Sequence, residues 1–281
     1  MPSKRSIRWF LAVAAVISMA SSAIWLLCGQ DEGPGRGHVE ITPIPRMGLS
    51  HDLGRAAIGE KVFESQWIGA SRKRSCGACH RYEMGGVDFR RHGLKPNEGA
   101  YTRSTVNSAL AKRYYADGSS SDLKEVVERM VAGREFSDGG SADDAADRIR
   151  RYDNGLAQRF NAVYGCEFAG TNVVDALVHH LRASVSESAR FDYFLEGDES
   201  ALTEEERRGM EIFMRQGCAS CHGGSNMGEV ADGGGSAGGR NPRGLRGLFM
   251  RGDAYRKYSE MPRSPSDEGE CQAIESFLKA L

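Results

Sequence analysis

The chain has 281 residues, with 37 Lys and Arg against 38 Asp and Glu, and its formal net charge is −1. This length suits one or two domains with a buried core, and the balanced charge argues against both a nucleic-acid-binding protein and a disordered chain. Seven cysteines are too few for a disulfide scaffold in a chain of this size. Their spacing is therefore the informative feature.

Residues 1–28 are typical of a targeting segment. Lys4, Arg5 and Arg8 precede an apolar run of 19 residues from Trp9 to Leu27. A positive start followed by such a run indicates a signal peptide or an uncleaved membrane anchor, and about 20 apolar residues span a bilayer as a helix. No clear small-residue cleavage site follows the run, so both alternatives stay open. In either case we expect the body of the protein in the periplasm or cell envelope, and an anchor would attach it to the inner membrane.

A linker and several helices follow. Residues 29–48 are rich in Gly and Pro and lack periodicity, which predicts a tether. Apolar residues recur at helical spacing in four segments, and alternation typical of strands is scarce. We therefore predict a mainly α protein, with helices over 53–63, 123–131, 173–185 and 204–214, the last opened by a capping box at Thr203–Glu206.

Two short motifs carry the chemistry. Cys76-Gly77-Ala78-Cys79-His80 and Cys218-Ala219-Ser220-Cys221-His222 both match Cys-x-x-Cys-His. Two thiols three positions apart on a helical turn can form thioethers with the two vinyl groups of one haem, and the next residue then supplies an imidazole to the iron. No further cysteine pair lies near either motif to complete a zinc tetrahedron. The sequence therefore predicts two covalently bound haem c groups.

The spacing of the motifs predicts the domain organisation. They lie 142 residues apart, which is too far for both haems to occupy one minimal cytochrome fold. We predict two tandem cytochrome c-like haem domains joined by irregular loops, an N-terminal domain over 49–170 and a C-terminal domain over 171–281.

The order of several short elements resembles the bacterial di-haem cytochrome c peroxidase family, which includes the MauG-like enzymes. The resemblance extends from about Gly48 to Leu281. Its elements, besides the two haem motifs, are Leu53-Gly54, Phe63, Asn107, Arg113 to Gly118, Phe191-Asp192, Leu195 to Asp198, Glu205, Arg207, Gly209, Phe213, Gly223-Gly224, Pro242, Leu245-Arg246 and Ile274 to Leu281.

The resemblance implies a division of labour between the haems. The N-terminal haem, with His80 as its proximal ligand, binds hydrogen peroxide, and the C-terminal haem, with His222, takes electrons from a small cytochrome c or cupredoxin. His92 falls where the family carries a distal histidine that leaves the iron on reduction of the second haem. Glu135 is the nearest carboxylate to the position of the family's distal acid, and each residue has an alternative as an ordinary solvated side chain.

This sequence departs from the family at four places. Ala116 stands where a tryptophan usually lies between the haems, so electrons would pass through Tyr115 or directly between haem edges. The asparagine expected near Ser104 for a calcium ion is absent, which weighs against calcium. Arg251 replaces a histidine. The distal ligand of the second haem is expected to be Met261, with Tyr258 and Met250 as alternatives, and Tyr258 would favour MauG-like chemistry.

Several other residues have simpler interpretations. Trp67 is expected to be a packing residue. His179 and His180 point about 100° apart on one helix, which makes them a poor metal pair. Cys166 and Cys271 could form a disulfide in an oxidising compartment, and the sequence does not show whether they meet.

The expected function is that of a di-haem c-type peroxidase. Two alternatives stay open: a MauG-like oxidase of Tyr or Trp residues on a partner protein, and a di-haem electron carrier without enzymatic activity. A homodimer is also left open.

Overall fold

The computed structural model describes eleven stretches of the chain, and they are mainly helical, as predicted. These stretches are residues 40–45, 51–70, 74–88, 91–92, 100–115, 117–133, 140–166, 168–186, 189–228, 245–246 and 268–281. Their α-helices are α1 (Leu53–Glu64), α2 (Leu123–Ala132), α3 (Ala142–Tyr152), α4 (Asn154–Tyr164), α5 (Gly170–Ala183), α6 (Arg190–Leu195), α7 (Glu204–Arg215) and α8 (Glu268–Leu278). No helix in these stretches is both long and apolar enough to cross a membrane.

Short polar side chains fix where the helices begin. The Asp52 carboxylate accepts a hydrogen bond from the Arg55 amide at the start of α1. The Thr203 hydroxyl accepts from the Glu206 amide, and the Glu206 carboxylate accepts from the Thr203 amide. These bonds satisfy backbone donors that a helix start leaves unpaired, and they confirm the capping box predicted for α7.

The first hydrophobic core surrounds the first motif. It contains buried side chains from α1 to α5, with Val62, Ile149, Phe160 and Val173 wholly inside. Trp67 packs against this core as predicted, and its ring stacks on Tyr152 at 4.9 Å. Helix α5 therefore belongs to the first core, although the predicted domain boundary at 170/171 assigned it to the second domain.

The second hydrophobic core surrounds the second motif. Its buried side chains come from α6, α7 and α8 and from the segments after the motif. They include Phe191, Phe213, Met227, Leu245 and Phe277, all no more than 3 % exposed. Both cores lie within one compact unit, Gly37–Leu281.

The two cores use the same helix crossing. In the first, α1 packs on α5, and a Cβ added at Gly59 would lie 2.0 Å from the Ala176 carbonyl oxygen. In the second, α7 packs on α8, and a Cβ at Gly209 would lie 1.9 Å from the Ala273 carbonyl oxygen. Any side chain larger than hydrogen would push these backbones apart, so glycine is needed for the close approach.

Short extended and turn segments follow the first motif. Strand β1 (Arg91–His92) pairs antiparallel with β2 (Ala100–Tyr101), and His92 lies opposite Ala100. The buried Asn107 accepts a hydrogen bond from the Ser186 amide at 2.8 Å and donates its side-chain amide to the Ser186 hydroxyl at 3.0 Å. Asn107 therefore ties this region to the segment after α5.

Candidate functional site

The first Cys-x-x-Cys-His motif forms a single tight turn. The amides of Cys79 and His80 both donate to the Cys76 carbonyl, at 3.1 and 2.9 Å. The Gly77 amide donates to the Phe63 carbonyl at 3.2 Å, which fastens the turn to the end of α1. A Cβ at Gly77 would lie 2.2 Å from the Glu64 carboxylate, so a side chain here would require the flexible end of Glu64 to move.

The second motif repeats this turn. The amides of Cys221 and His222 donate to the Cys218 carbonyl at 3.1 and 2.9 Å, and the turn follows directly after α7. Both motifs therefore hold two thiols and one imidazole on one helical turn, which is the arrangement that the sequence predicted.

Each motif histidine has one ring nitrogen facing a backbone carbonyl. His80 Nδ1 lies 3.1 Å from the Gly86 carbonyl oxygen, and His222 Nδ1 lies 3.1 Å from the Met227 carbonyl oxygen. A carbonyl can only accept, so Nδ1 carries the proton and Nε2 keeps its lone pair for a metal. The two imidazoles are therefore oriented and in the tautomer that binds iron through Nε2.

Three of the four motif thiols have pKa values above the ordinary range. Burial raises the pKa of Cys76 to about 12, with Glu64 adding to the effect, and burial also raises the pKa values of Cys79 and Cys218. Thioether formation leaves an uncharged sulfur, which suits a buried position. Among the described residues, no group of three or more His, Cys, Asp or Glu side chains could hold a metal ion.

An aromatic side chain accompanies each motif histidine. The Phe63 ring lies 6.2 Å from the His80 ring, and the Phe213 ring lies 6.4 Å from the His222 ring. The next ring differs between the cores: His180 lies 4.9 Å from Phe63, whereas Phe277 lies 5.5 Å from Phe213. Burial lowers the pKa of His180, so this side chain is a neutral counterpart of Phe277 at pH 7.

The remaining sequence-predicted residues divide into two groups. His92 lies on β1, and only its backbone pairing is described. Glu135, Met261, Tyr258, Met250, Ala116 and Arg251 lie outside the described residues.

Three other sequence predictions fall on described residues. The Ser104 hydroxyl, in the expected calcium region, contacts the carbonyl oxygens of Gly85 and Val106 at 2.6 and 3.1 Å. Cys166 and Cys271 are both exposed, and no disulfide joins them. His179 accepts a hydrogen bond from the Asp52 amide through Nδ1, which gives it a structural role at the start of α1.

The sequence analysis missed one buried pair in the second core. Arg246 and Asp192 form an ion pair in which both side chains are fully buried. Both residues belong to elements that carry the family resemblance, so the signal was present, although nothing in the pattern showed that they meet.

A model of the di-haem cytochrome c peroxidase family matches residues 54–200, which is more than half of the chain. The chain belongs to this family. Family membership implies two covalently bound haem c groups, and the residues present fit them: each motif turn offers two thiols and an imidazole whose Nδ1 faces a backbone carbonyl.

The alignments with curated relatives cover only part of each relative's length. The chain is 29% identical over 201 residues to the cytochrome c peroxidase Ccp of Escherichia coli, covering 70% of this chain and 43% of that protein. It is 29% identical over 174 residues to the methylamine utilization protein MauG of Methylorubrum extorquens, covering 60% and 49%. The chain therefore spans about half the length of these relatives.

A solved structure supports the fold. It is described as a MauG-like protein associated with microbial copper homeostasis, with a TM-score of 0.64 at 17% identity. The alignment covers 90% of this chain and 95% of that one. At this identity the likeness concerns the fold alone, and it extends beyond the 54–200 range of the family match.

Proposed function

We propose that this protein is a di-haem c peroxidase that reduces hydrogen peroxide to water with electrons from a small cytochrome c or cupredoxin. The observation that carries the proposal is the motif turn, present twice, in which two thiols accompany a histidine whose Nδ1 is fixed by a carbonyl. The conversion takes up two electrons and two protons for each peroxide and yields two water molecules. When bound, haem c supplies an iron that exchanges single electrons and offers a coordination position.

The first site needs a group that moves a proton. Cleavage of the O–O bond requires transfer of a proton from one oxygen to the other. We assign this role to Glu135 and assign His92 as the side chain that vacates the site. Along the sequence, His92 lies between the first motif and Asn107, where the family carries its distal histidine, and its backbone pairs with Ala100.

The electron path differs from the family pattern at Ala116. The Tyr114 hydroxyl donates to the Ser108 carbonyl at 3.2 Å, and burial raises the pKa of Tyr114 to about 12. An oxidised tyrosine must release its proton, and a backbone carbonyl is a poor base for that proton. Tyr114 is therefore a poor electron relay. This supports electron transfer through Tyr115 or directly between haem edges.

The distal ligand of the second haem separates two branches of the family. We assign it to Met261, because a thioether favours reduced iron and suits a haem that receives electrons. Tyr258 or Met250 are the alternatives. A tyrosine oxygen would favour oxidised iron and the second candidate function, oxidation of Tyr or Trp residues on a partner protein, which the relatives named MauG support.

The location of the protein follows from its first residues. The segment of residues 1–28 supports export to the periplasm or attachment to the inner membrane, where a small soluble donor would reach the second haem. A homodimer is compatible with this arrangement.

Stopped-flow mixing tests the function. The haem-loaded protein is reduced by one electron, mixed with hydrogen peroxide, and supplied with reduced horse cytochrome c or azurin as donor. We expect two donor molecules to be oxidised for each peroxide consumed. If both irons stay six-coordinate in the half-reduced protein and neither donor is oxidised, the protein is an electron carrier and the proposal is wrong.

A further inference from the structure

Arg246 is the largest side chain in the second core that is fully buried, and it carries a charge. It is 1 % exposed, and its Nη1 pairs with Asp192 Oδ1, whose side chain is also fully buried. The guanidinium carbon lies 5.2 Å from the centre of the Phe191 ring. Burying two charges is costly unless every donor and acceptor finds a partner, so the remaining hydrogen bonds of this pair decide whether the arrangement is complete.

Both oxygens of the Asp192 carboxylate accept hydrogen bonds. Asp192 Oδ1 accepts from the Ile44 amide at 2.8 Å as well as from Arg246, and Oδ2 accepts from the Ala189 amide at 2.9 Å. Asp192 therefore holds Arg246 in one position while it also caps α6. None of these bonds involves Nε or Nη2 of Arg246.

Only part of the Arg246 guanidinium forms hydrogen bonds. Within the described part of the chain, neither Nε nor Nη2 of Arg246 has a hydrogen-bond partner, although both are buried. Burial lowers the pKa of Arg246 even with Asp192 beside it. An unpartnered buried donor costs about 1–3 kcal/mol, and more when it is charged, so two such donors on one group indicate that something else completes the site.

The geometry of the two unpartnered donors defines what fits. Nε–H and the neighbouring Nη2–H of an arginine point in the same direction and form the side-on fork that receives both oxygens of one carboxylate. The donor on the other branch, Nη1, is the one already used by Asp192. A single carboxylate that reaches this buried position would therefore satisfy both donors at once.

The position of Arg246 links it to the second motif. The Leu245 amide donates to the carbonyls of Asn226 and Met227, at 3.1 and 3.3 Å. The same Met227 carbonyl faces His222 Nδ1. The backbone that carries Arg246 is thus joined to the residue that orients the second motif histidine.

We propose that Arg246 binds a propionate carboxylate of the haem attached at Cys218 and Cys221, and that Asp192 is the positioning residue that holds the guanidinium for it. This inference rests on the haem loading that the family implies and is independent of peroxidase activity. A positive charge beside the haem stabilises the reduced state, so the pair also sets the reduction potential of the second haem.

Spectroelectrochemical titration of the haem-loaded protein tests the proposal with two variants. Arg246→Gln removes the positive charge and is expected to shift the redox equilibrium of the second haem about tenfold towards the oxidised state. Its reduction potential would then fall by about 59 mV, since one electron is transferred. Asp192→Asn removes the negative charge and is expected to shift it in the opposite direction. Loss of packing alone would move both variants in the same direction.

A matched control lies on the exposed side of the same helix, α6. Arg190 also pairs with a carboxylate, that of Glu206, but its side chain is 51% exposed. Arg190→Gln is expected to leave both reduction potentials unchanged. The mass of the unmodified protein is measured first, because absence of haem there would contradict the family assignment. An unchanged potential in the haem-loaded Arg246→Gln variant would overturn the role of Arg246.

Resonance Raman spectra of the unmodified protein provide a second test that needs no variant. We expect the propionate bending band of the second haem to stay at its hydrogen-bonded frequency from about pH 8 to about pH 5, because the guanidinium keeps that carboxylate ionised. A band at the frequency of a free, protonating propionate over this range would overturn the proposal even if both variants failed to fold.

Discussion

Burial distinguishes the motif cysteines from the other described cysteines, because it favours the protonated thiol. Burial keeps Cys76 and Cys218 protonated at neutral pH, whereas the exposed Cys166 and Cys271 lie outside any motif. The chain therefore contains both motif cysteines and cysteines outside the motifs. The second group provides controls for a test of covalent haem attachment.

Replacement of the motif cysteines should remove one haem. The double variant Cys218→Ser, Cys221→Ser is expected to lose the mass of one haem and about half of the Soret absorption, because it has no thiol to form a thioether. Mass spectrometry of the purified protein measures this. Cys166→Ser and Cys271→Ser serve as controls and should retain both haems, and a double motif variant with unchanged mass would contradict the assignment.

The buried histidine of the first core should make stability depend on pH. Burial lowers the pKa of His180, although Glu60 opposes the effect. The folded protein then binds fewer protons than the unfolded chain as the pH falls below about 6.5, so its free energy of unfolding decreases there. His180→Phe, which copies Phe277 of the second core, should lose less stability between pH 7.5 and pH 5.

Denaturant unfolding of the haem-loaded protein at these two pH values measures the difference. Other groups contribute equally to both proteins, so the comparison isolates residue 180. An identical loss of stability in the variant and the unmodified protein would show that His180 does not titrate differently in the folded state.

At the scale of elements, the shared feature is the glycine crossing of two helices in each core. Gly59 and Gly209 bring α1 onto α5 and α7 onto α8, and in each pair a residue four positions later, Phe63 or Phe213, contacts the motif histidine. The crossing therefore sets the distance between the helix pair and the turn that carries the thiols.

Substitution at the crossings should be destabilising even for alanine. Gly59→Ala or Gly209→Ala places a methyl group about 2 Å from a carbonyl oxygen, and such overpacking costs about 1–3 kcal/mol. Gly155→Ala in the exposed first turn of α4, where the nearest atom is 3.7 Å away, should instead be neutral or stabilising by up to about 1 kcal/mol. Thermal unfolding measures all three, and equal effects at the three positions would contradict the crossing.

At the scale of the whole molecule, two separate hydrophobic cores occupy one compact unit. Each has its own helix pair, motif turn and oriented histidine, which is the arrangement expected if one haem exchanges electrons with a donor and the other reacts with peroxide. Local contacts within each core, rather than one shared interior, should control its stability.

Hydrogen exchange should distinguish the two cores. Gly209→Ala is expected to increase exchange of the amides of α7 and α8 and to leave those of α1 and α5 unchanged, because the clash lies wholly within the second core. Gly59→Ala should give the reverse pattern. A uniform increase along the chain in either variant would show that the two cores unfold as one cooperative unit.

The amino-acid sequence by itself determined the covalent chemistry and the helical class. The spacing of Cys76, Cys79 and His80, and its repetition at Cys218, is a local property of one helical turn, so it could be recognised without a fold. Helical periodicity and the capping box at Thr203 are also local, and they predicted α1, α2 and α7 to within a few residues.

Only the tertiary structure decided which distant residues meet. The contacts of Gly59 with Ala176, of His180 with Phe63 and of Arg246 with Asp192 join positions separated by 54 or more residues. No local pattern encodes these pairs, because burial and close packing arise only when the helices assemble. For the same reason, periodicity assigned the residues of α5 to a helix, while packing alone assigned that helix to the first core.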